Sequence, residues 1–204
     1  MKSERTRQFI IEAAAGIFNT KGYAATSLSD LTAATKLTKG SIYGNFANKE
    51  EVALAVFDYN FSCVSKKITH EIIQCNTNKD KLMVYGNFYK NAYKNGLPEG
   101  GCPLLNTAIE ADDMNEPLRK RVSDIILQWK KNIVQIINKG IEANEFKKDT
   151  NADAVALSII ALIEGGMMIG KVTKNNSFFD IIMDQIQHII HEIEIKKQSK
   201  TKFK

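Results

Sequence analysis

Between Thr38 and Lys49 the chain gathers groups that bind a polyanion bearing donors and acceptors, without making or breaking a covalent bond. If Thr38 caps a short helix and Ile42 and Phe46 share its inner side, then Lys39, Ser41, Tyr43 and Asn45 are left for the outer one. A lysine pairs with phosphate or donates to a guanine edge. Serine and asparagine offer hydrogen-bond donors and acceptors, and tyrosine carries a hydroxyl on a rigid arm. Lys49, at the start of the next helix, adds positive charge where unpaired N–H groups already favour anions.

Covalent chemistry has far less support. Cys63, Cys75 and Cys102 are widely separated and lack CxxC spacing, which argues against a disulfide framework or a zinc site and suits a reducing cytoplasm. They read as core thiols; for Cys102 the alternative is a redox-responsive role, although no neighbouring base is visible. His188 and His191 stand three apart without a nearby cysteine pair and read as surface residues, and His70 stands alone. With no converging nucleophile, base or metal ligands, the expectation is a protein that is not an enzyme and holds no metal or cofactor.

The elements that must position these groups are helical. Hydrophobic content of 44% with 25% charged residues and three prolines describes an ordered globular chain, and no alternation of β type has useful length. Residues 1–50 carry seven basic and four acidic side chains. KKQSKTKFK at the C-terminus adds five lysines, so positive charge flanks a slightly acidic body. The run from Ala154 to Gly170 is apolar but shorter than the ~20 residues that span a bilayer, and it contains Glu164. A buried helix accounts for it, and with no signal-peptide pattern a cytoplasmic protein without a membrane partner is expected.

Pairs Phe9/Ile10, Ala13/Ala14 and Ile17/Phe18 predict a first helix ending at Lys21-Gly22. Ser27 with Asp30 three residues on predicts a capped second helix with Leu28, Leu31 and Ala34 facing inward; Thr38 opens the third, and Asn48 with Glu51 the fourth. Further helices are expected over 79–95, 103–113, 116–144, 151–174 and 177–197, their starts marked by Asn115 with Pro117, Thr150 with Asp153, and Ser177 with Asp180. The architecture is thus all-α, about nine helices: a helix-turn-helix unit over 1–48, a larger helical domain over 49–197 and a disordered basic tail over 198–204. Two short helices joined by a tight turn are the plan of a helix-turn-helix, whose second helix fits the major groove.

The stretch TSLSDLTAATKLTKGSIYGNFANKEEV resembles the DNA-binding signature of the TetR family of bacterial transcriptional regulators, with Lys39, Gly40, Ser41, Ile42, Tyr43, Phe46, Lys49 and Glu50 in the family's places and KGY at Lys21–Tyr23 before them. The resemblance covers about the first 55 residues. It implies a homodimeric repressor that leaves a palindromic double-stranded DNA operator when a small, largely apolar effector binds; the alternative is ligand-independent DNA binding. It further implies phosphate contacts from Thr26, Tyr43 and Lys49, base-edge contacts from Lys39, Ser41 and Asn45, and close backbone approach at Gly40. The capping residues Ser27 and Thr38, and Gly44, belong to the same candidate surface. Lys36 stands where many members have Gly or Asn, which requires a lysine at positive φ at a cost of roughly 1 kcal/mol.

In that family the last two helices pair with those of a second subunit. The candidates are Val155, Ile159, Leu162 and Gly166 on one helix, then Phe179, Ile182, Ile186, Ile189, Ile190 and Ile193 on the next. Gly165, Gly166 and Gly170 either permit close helix approach or simply weaken the helix. The family also implies a small-molecule pocket, with candidates Phe61, Met83, Phe88, Tyr89, Leu105, Ile109, Trp129, Ile133, Met167 and Met168 and a polar handle at Glu110 or Glu164; each reads equally as ordinary core.

Overall fold

A computed structural model describes residues 2–195, apart from the side chains of Lys2, 92–95 and 112–114; the expected tail over 198–204 lies outside the described residues. Among the described residues there are nine helices: α1 (Lys2–Ala25), α2 (Leu28–Thr35), α3 (Lys39–Tyr43), α4 (Lys49–Gln74), α5 (Asn78–Asn95), α6 (Pro103–Met114), α7 (Glu116–Glu142), α8 (Ala152–Thr173) and α9 (Asn176–Ile193). Their only β feature is an isolated bridge between Phe146 and Glu194. The chain divides into two compact units, residues 1–69 with 91–128 and residues 70–90 with 129–204. By packing, then, the first unit does not stop at residue 48: it takes in most of α4, the end of α5, all of α6 and the first half of α7.

In the first unit α1 buries Ile10, Ile11, Ala14, Ala15 and Phe18. Phe9 is exposed, so the buried stripe lies one residue later than its pairs suggested. The α1 backbone breaks at Gly22, whose φ of 81° lies in the region glycine tolerates, and one further helical turn leads to Ala25. Ser27 and Asp30 form a reciprocal cap on α2, with Asp30 N donating to Ser27 Oγ at 3.1 Å and Ser27 N to Asp30 Oδ2 at 2.9 Å. Lys36 does adopt the left-handed conformation, φ 57°, that the turn demands. Glu51 N donates to the Asn48 side chain at 2.8 Å, while the Glu51 carboxylate accepts from Ala47 N at 2.7 Å and closes the start of α4.

In the second unit α8 packs on α9, and Gly86 of α5 faces Ile186 of α9, where an added Cβ would make ordinary van der Waals contact. Tyr85, Tyr89 and Trp129 gather in the interior, and burial pushes the Tyr85 hydroxyl up to about 12. The caps of α8 and α9 are Asn151 and Asn175, not the neighbouring Thr150 and Ser177. The last helix ends at Ile193 rather than 197 because the chain turns extended there. Lys147 N donates to Ile193 O at 2.8 Å and Ile195 N to Glu145 O at 2.9 Å. The Glu145 carboxylate accepts from Asn78 Nδ2 at 2.9 Å and Lys79 N at 3.0 Å, capping α5; burial opposes its charge, but these donors outweigh that and hold it below its ordinary value.

Candidate nucleic-acid interface

The five residues of α3 present two faces. Ile42 and, just past the helix, Phe46 are buried, so the inner side is the one the spacing predicted. Thr38, Lys39, Gly40, Tyr43 and Gly44 are exposed, Ser41 is half-buried, and Tyr43 shows 37% of its surface. Thr38 Oγ1 accepts from Ser41 N at 3.2 Å, so the cap that starts the helix also sits on its open end. Lys39 Nζ stands 6.0 Å from the Tyr43 ring centroid, which keeps cation and hydroxyl on one surface. Ser27, the cap of α2, is exposed as well.

Three candidates are placed otherwise. Thr26 is fully buried and its hydroxyl donates to Gly22 O at 2.6 Å, so its side chain secures the break after α1 and is not available to a phosphate. This corrects the contact that the resemblance implied. Asn45 is half-buried: its amide donates to Ser41 O at 2.8 Å and its oxygen accepts from the Ser3 hydroxyl at 3.2 Å. Lys49 donates to Thr26 O at 2.7 Å and lies 4.4 Å from the Tyr23 ring centroid, tying α4 to the α1–α2 junction.

Sequence reasoning missed what holds this surface from behind. Glu110 of α6 accepts from Tyr23 N at 2.5 Å and Ala24 N at 2.6 Å, and a Cβ at Gly22 would collide with its carboxylate. Asn19 of α1 donates to Glu99 O at 2.6 Å and Gly101 O at 3.0 Å, while Asn106 donates to Asn19 O at 2.9 Å. The only sequence signal was Gly22 itself, a break needing donors satisfied. Around Glu110 lies a cleft of about 20 Å³, lined by Phe18, Tyr23, Phe57, Asn60, Thr107 and Leu118 among others. It has room for about one water, far short of a pocket for an organic ligand.

Of the other pocket candidates, Ile109 is 72% exposed and Met168 is exposed, so neither lines an enclosed cavity here, and Glu110 is committed to backbone. Phe61 and Leu105 are half-buried in the first unit, Phe61 stacking on Phe57 at 6.5 Å. Phe88, Tyr89, Trp129, Ile133 and Met167 are buried core of the second unit, with Met83 and Glu164 half-buried. The expected dimer residues divide by burial. Ile159, Gly166, Phe179, Ile186, Ile190 and Ile193 are buried within the protomer, and Val155, Leu162, Ile182 and Ile189 are half-buried. Gly166 is filled by Phe179, Ile182 and Met183. The exposed apolar side chains are Leu157, Met168, Ile169 and Val172 on α8 and Phe178 and Ile181 on α9.

Residues 10–56 match the family model described as bacterial regulatory proteins, tetR family, and residues 79–186 match the tetracyclin repressor-like C-terminal domain. A solved TetR-family transcriptional regulator from Cytophaga hutchinsonii is 54% identical, covers 97% of this chain and 98% of its own, and superimposes with a TM-score of 0.93. The chain belongs to the TetR family. A second TetR regulator, from Chloroflexus aurantiacus, is 34% identical with a TM-score of 0.89, over 96% of this chain and 99% of its own. The HTH-type transcriptional repressor DhaR from Mycobacterium sp. strain GP1 is 26% identical over 174 residues, 85% of this chain and 86% of that one. As a TetR-family member the protein is a DNA-binding transcriptional regulator of repressor type and not an enzyme, and the α3 surface is the part of the fold that suits a major groove.

Proposed function

We propose that the protein is a cytoplasmic homodimeric repressor that holds a palindromic operator with two copies of α3 and releases it when a small, largely apolar ligand binds. The exposed face of α3, with Lys39 and Tyr43 outward over buried Ile42 and Phe46, carries the DNA part of this reading. Lys39 and Ser41 read base edges, Tyr43 and the Thr38 end of the helix meet phosphates, and Gly40 and Gly44 leave room for the backbone of the duplex. Dimerisation is supported by Leu157, Ile169 and Val172 of α8 and Phe178 and Ile181 of α9, apolar side chains left in solvent after α8 and α9 have packed on each other.

The effector belongs among the aromatic and methionine side chains of the second unit, where Met83 and Met167 are adaptable neighbours for an apolar guest. Binding requires this packing to open. Sequencing the genomic fragments retained by the purified protein identifies the operator. Thermal melting with a panel of apolar compounds then tests release: a true effector raises the melting temperature and dissociates the operator complex. If no compound does both, the protein binds DNA without an effector.

A further inference from the structure

The recognition helix has five residues, too few to be stable by itself, and Gly44 at its C-terminal end has no side chain to brace it. Arg7, in the second turn of α1, reaches that end. Its Nη1 donates to Asn45 O at 2.8 Å, its guanidinium lies 4.0 Å from the Phe46 ring centroid, and its Nη2 pairs with Glu51 at 3.0 Å. One turn earlier, Ser3 donates to the Asn45 side chain. Glu51 is itself fixed by Ala47 N. A planar fork that can stack, donate and pair at once is an arginine property that lysine lacks, and a cation there complements the carbonyl end of α3.

We propose that Arg7 is a positioning residue for operator recognition: it clamps the C-terminal end of α3 to the start of α4, and so sets the angle at which Lys39 and Tyr43 are offered, without itself touching DNA. A cation near the DNA-facing surface is ordinarily taken for a phosphate contact. Here its stacking face, one donor and its charge are all engaged within the protein. The inference rests on α3 being the helix that meets DNA.

Two measurements on the full chain test it. In amide hydrogen exchange, Asn45 and Phe46, whose N–H groups bond to Ile42 O at 3.0 and 3.1 Å, lose protection at least tenfold in Arg7→Met, while Ile186 and Ile190 of α9 keep theirs. Unchanged protection at Asn45 and Phe46, or a fall shared by α9, overturns the clamp. Because no DNA is present, this result is independent of whether α3 is the reading helix. In operator binding across a salt series, Arg7→Met loses tenfold or more for the operator, with unchanged affinity for a scrambled duplex and an unchanged salt slope. Arg7→Lys recovers only part of the loss. Glu51→Gln also weakens operator binding, although it removes a negative charge. A slope shallower by about one unit in Arg7→Met marks a lost phosphate contact and overturns the proposal, as does tighter operator binding by Glu51→Gln.

Discussion

Lys39 and Lys49 are ten residues apart, and the resemblance implies a base edge for the first and a phosphate for the second; their surroundings separate them further. Lys39 is exposed beside the Tyr43 ring, whereas Lys49 is half-buried on Thr26 O and the Tyr23 ring. Lys39→Ala is expected to cost about 1–3 kcal/mol on the operator and to relax specificity at one base pair if the lysine reads a guanine. Lys49→Ala is expected to lower stability by about 1 kcal/mol as well, through the lost hydrogen bond and ring contact. Thermal melts of both variants beside binding isotherms tell these apart, and equal melting temperatures would refute the second. Asp30 supplies a pH signature. The Lys21 ammonium at 2.7 Å and the Ser27 donors hold its carboxyl down from 3.8 to about 2. With the folded value depressed, its contribution is complete above about pH 4 and is lost as pH falls towards about 2. Asp30→Asn, followed by acid melts, should flatten stability over that window, and an unchanged acid limb would count against the cap.

At the scale of elements, the joints matter more than the helices. Glu110 satisfies two backbone N–H groups at the Gly22 break, and glutamine, with a single acceptor oxygen, turns its amide NH2, a donor, towards one of them. Glu110→Gln is therefore expected to cost about 1.5–3 kcal/mol and to speed amide exchange at Tyr23 and Ala24, read by a denaturant melt and by exchange. Helix existence was legible because caps and periodicity are local: Ser27 with Asp30, Thr38 and Asn48 were all found where their spacing put them. The left-handed Lys36 was legible for the same reason. The α1–α6 joint was not, because Glu110 and Tyr23 lie 87 residues apart and only packing brings them together. Nor was the end of α9, set by hydrogen bonds to residues 145 and 147. The engagement of Asn45 was hidden for a related reason: a helical position tells which side a residue faces, not whether its amide already has partners.

At the scale of the whole molecule, the question is which side of α8 and α9 remains for a partner. Both helices are apolar on more than one side, so the pattern could not say which stripe packs inside the protomer; Ile159, Phe179, Ile186 and Ile190 are the inner one. The outer one contains Val172, 76% exposed, and Ile181, 59% exposed, and on α8 a Cβ added at half-buried Gly165 would meet no atom within 4 Å. A charge at either position costs the isolated protomer little, because the side chain already meets water, but is expensive once a second copy covers it. Val172→Asp and Ile181→Asp are thus expected to shift the species in light scattering from twice the 22.8 kDa chain mass to the chain mass itself, while the helical circular dichroism signal stays. Operator affinity should then fall by ~10²–10⁴, because two recognition helices no longer bind as one tethered pair, whereas Ile159→Asp should unfold the protein instead. A dimer that survives both outer substitutions would place the subunit contact elsewhere on the surface and leave the exposed stripe of α8 and α9 without this role.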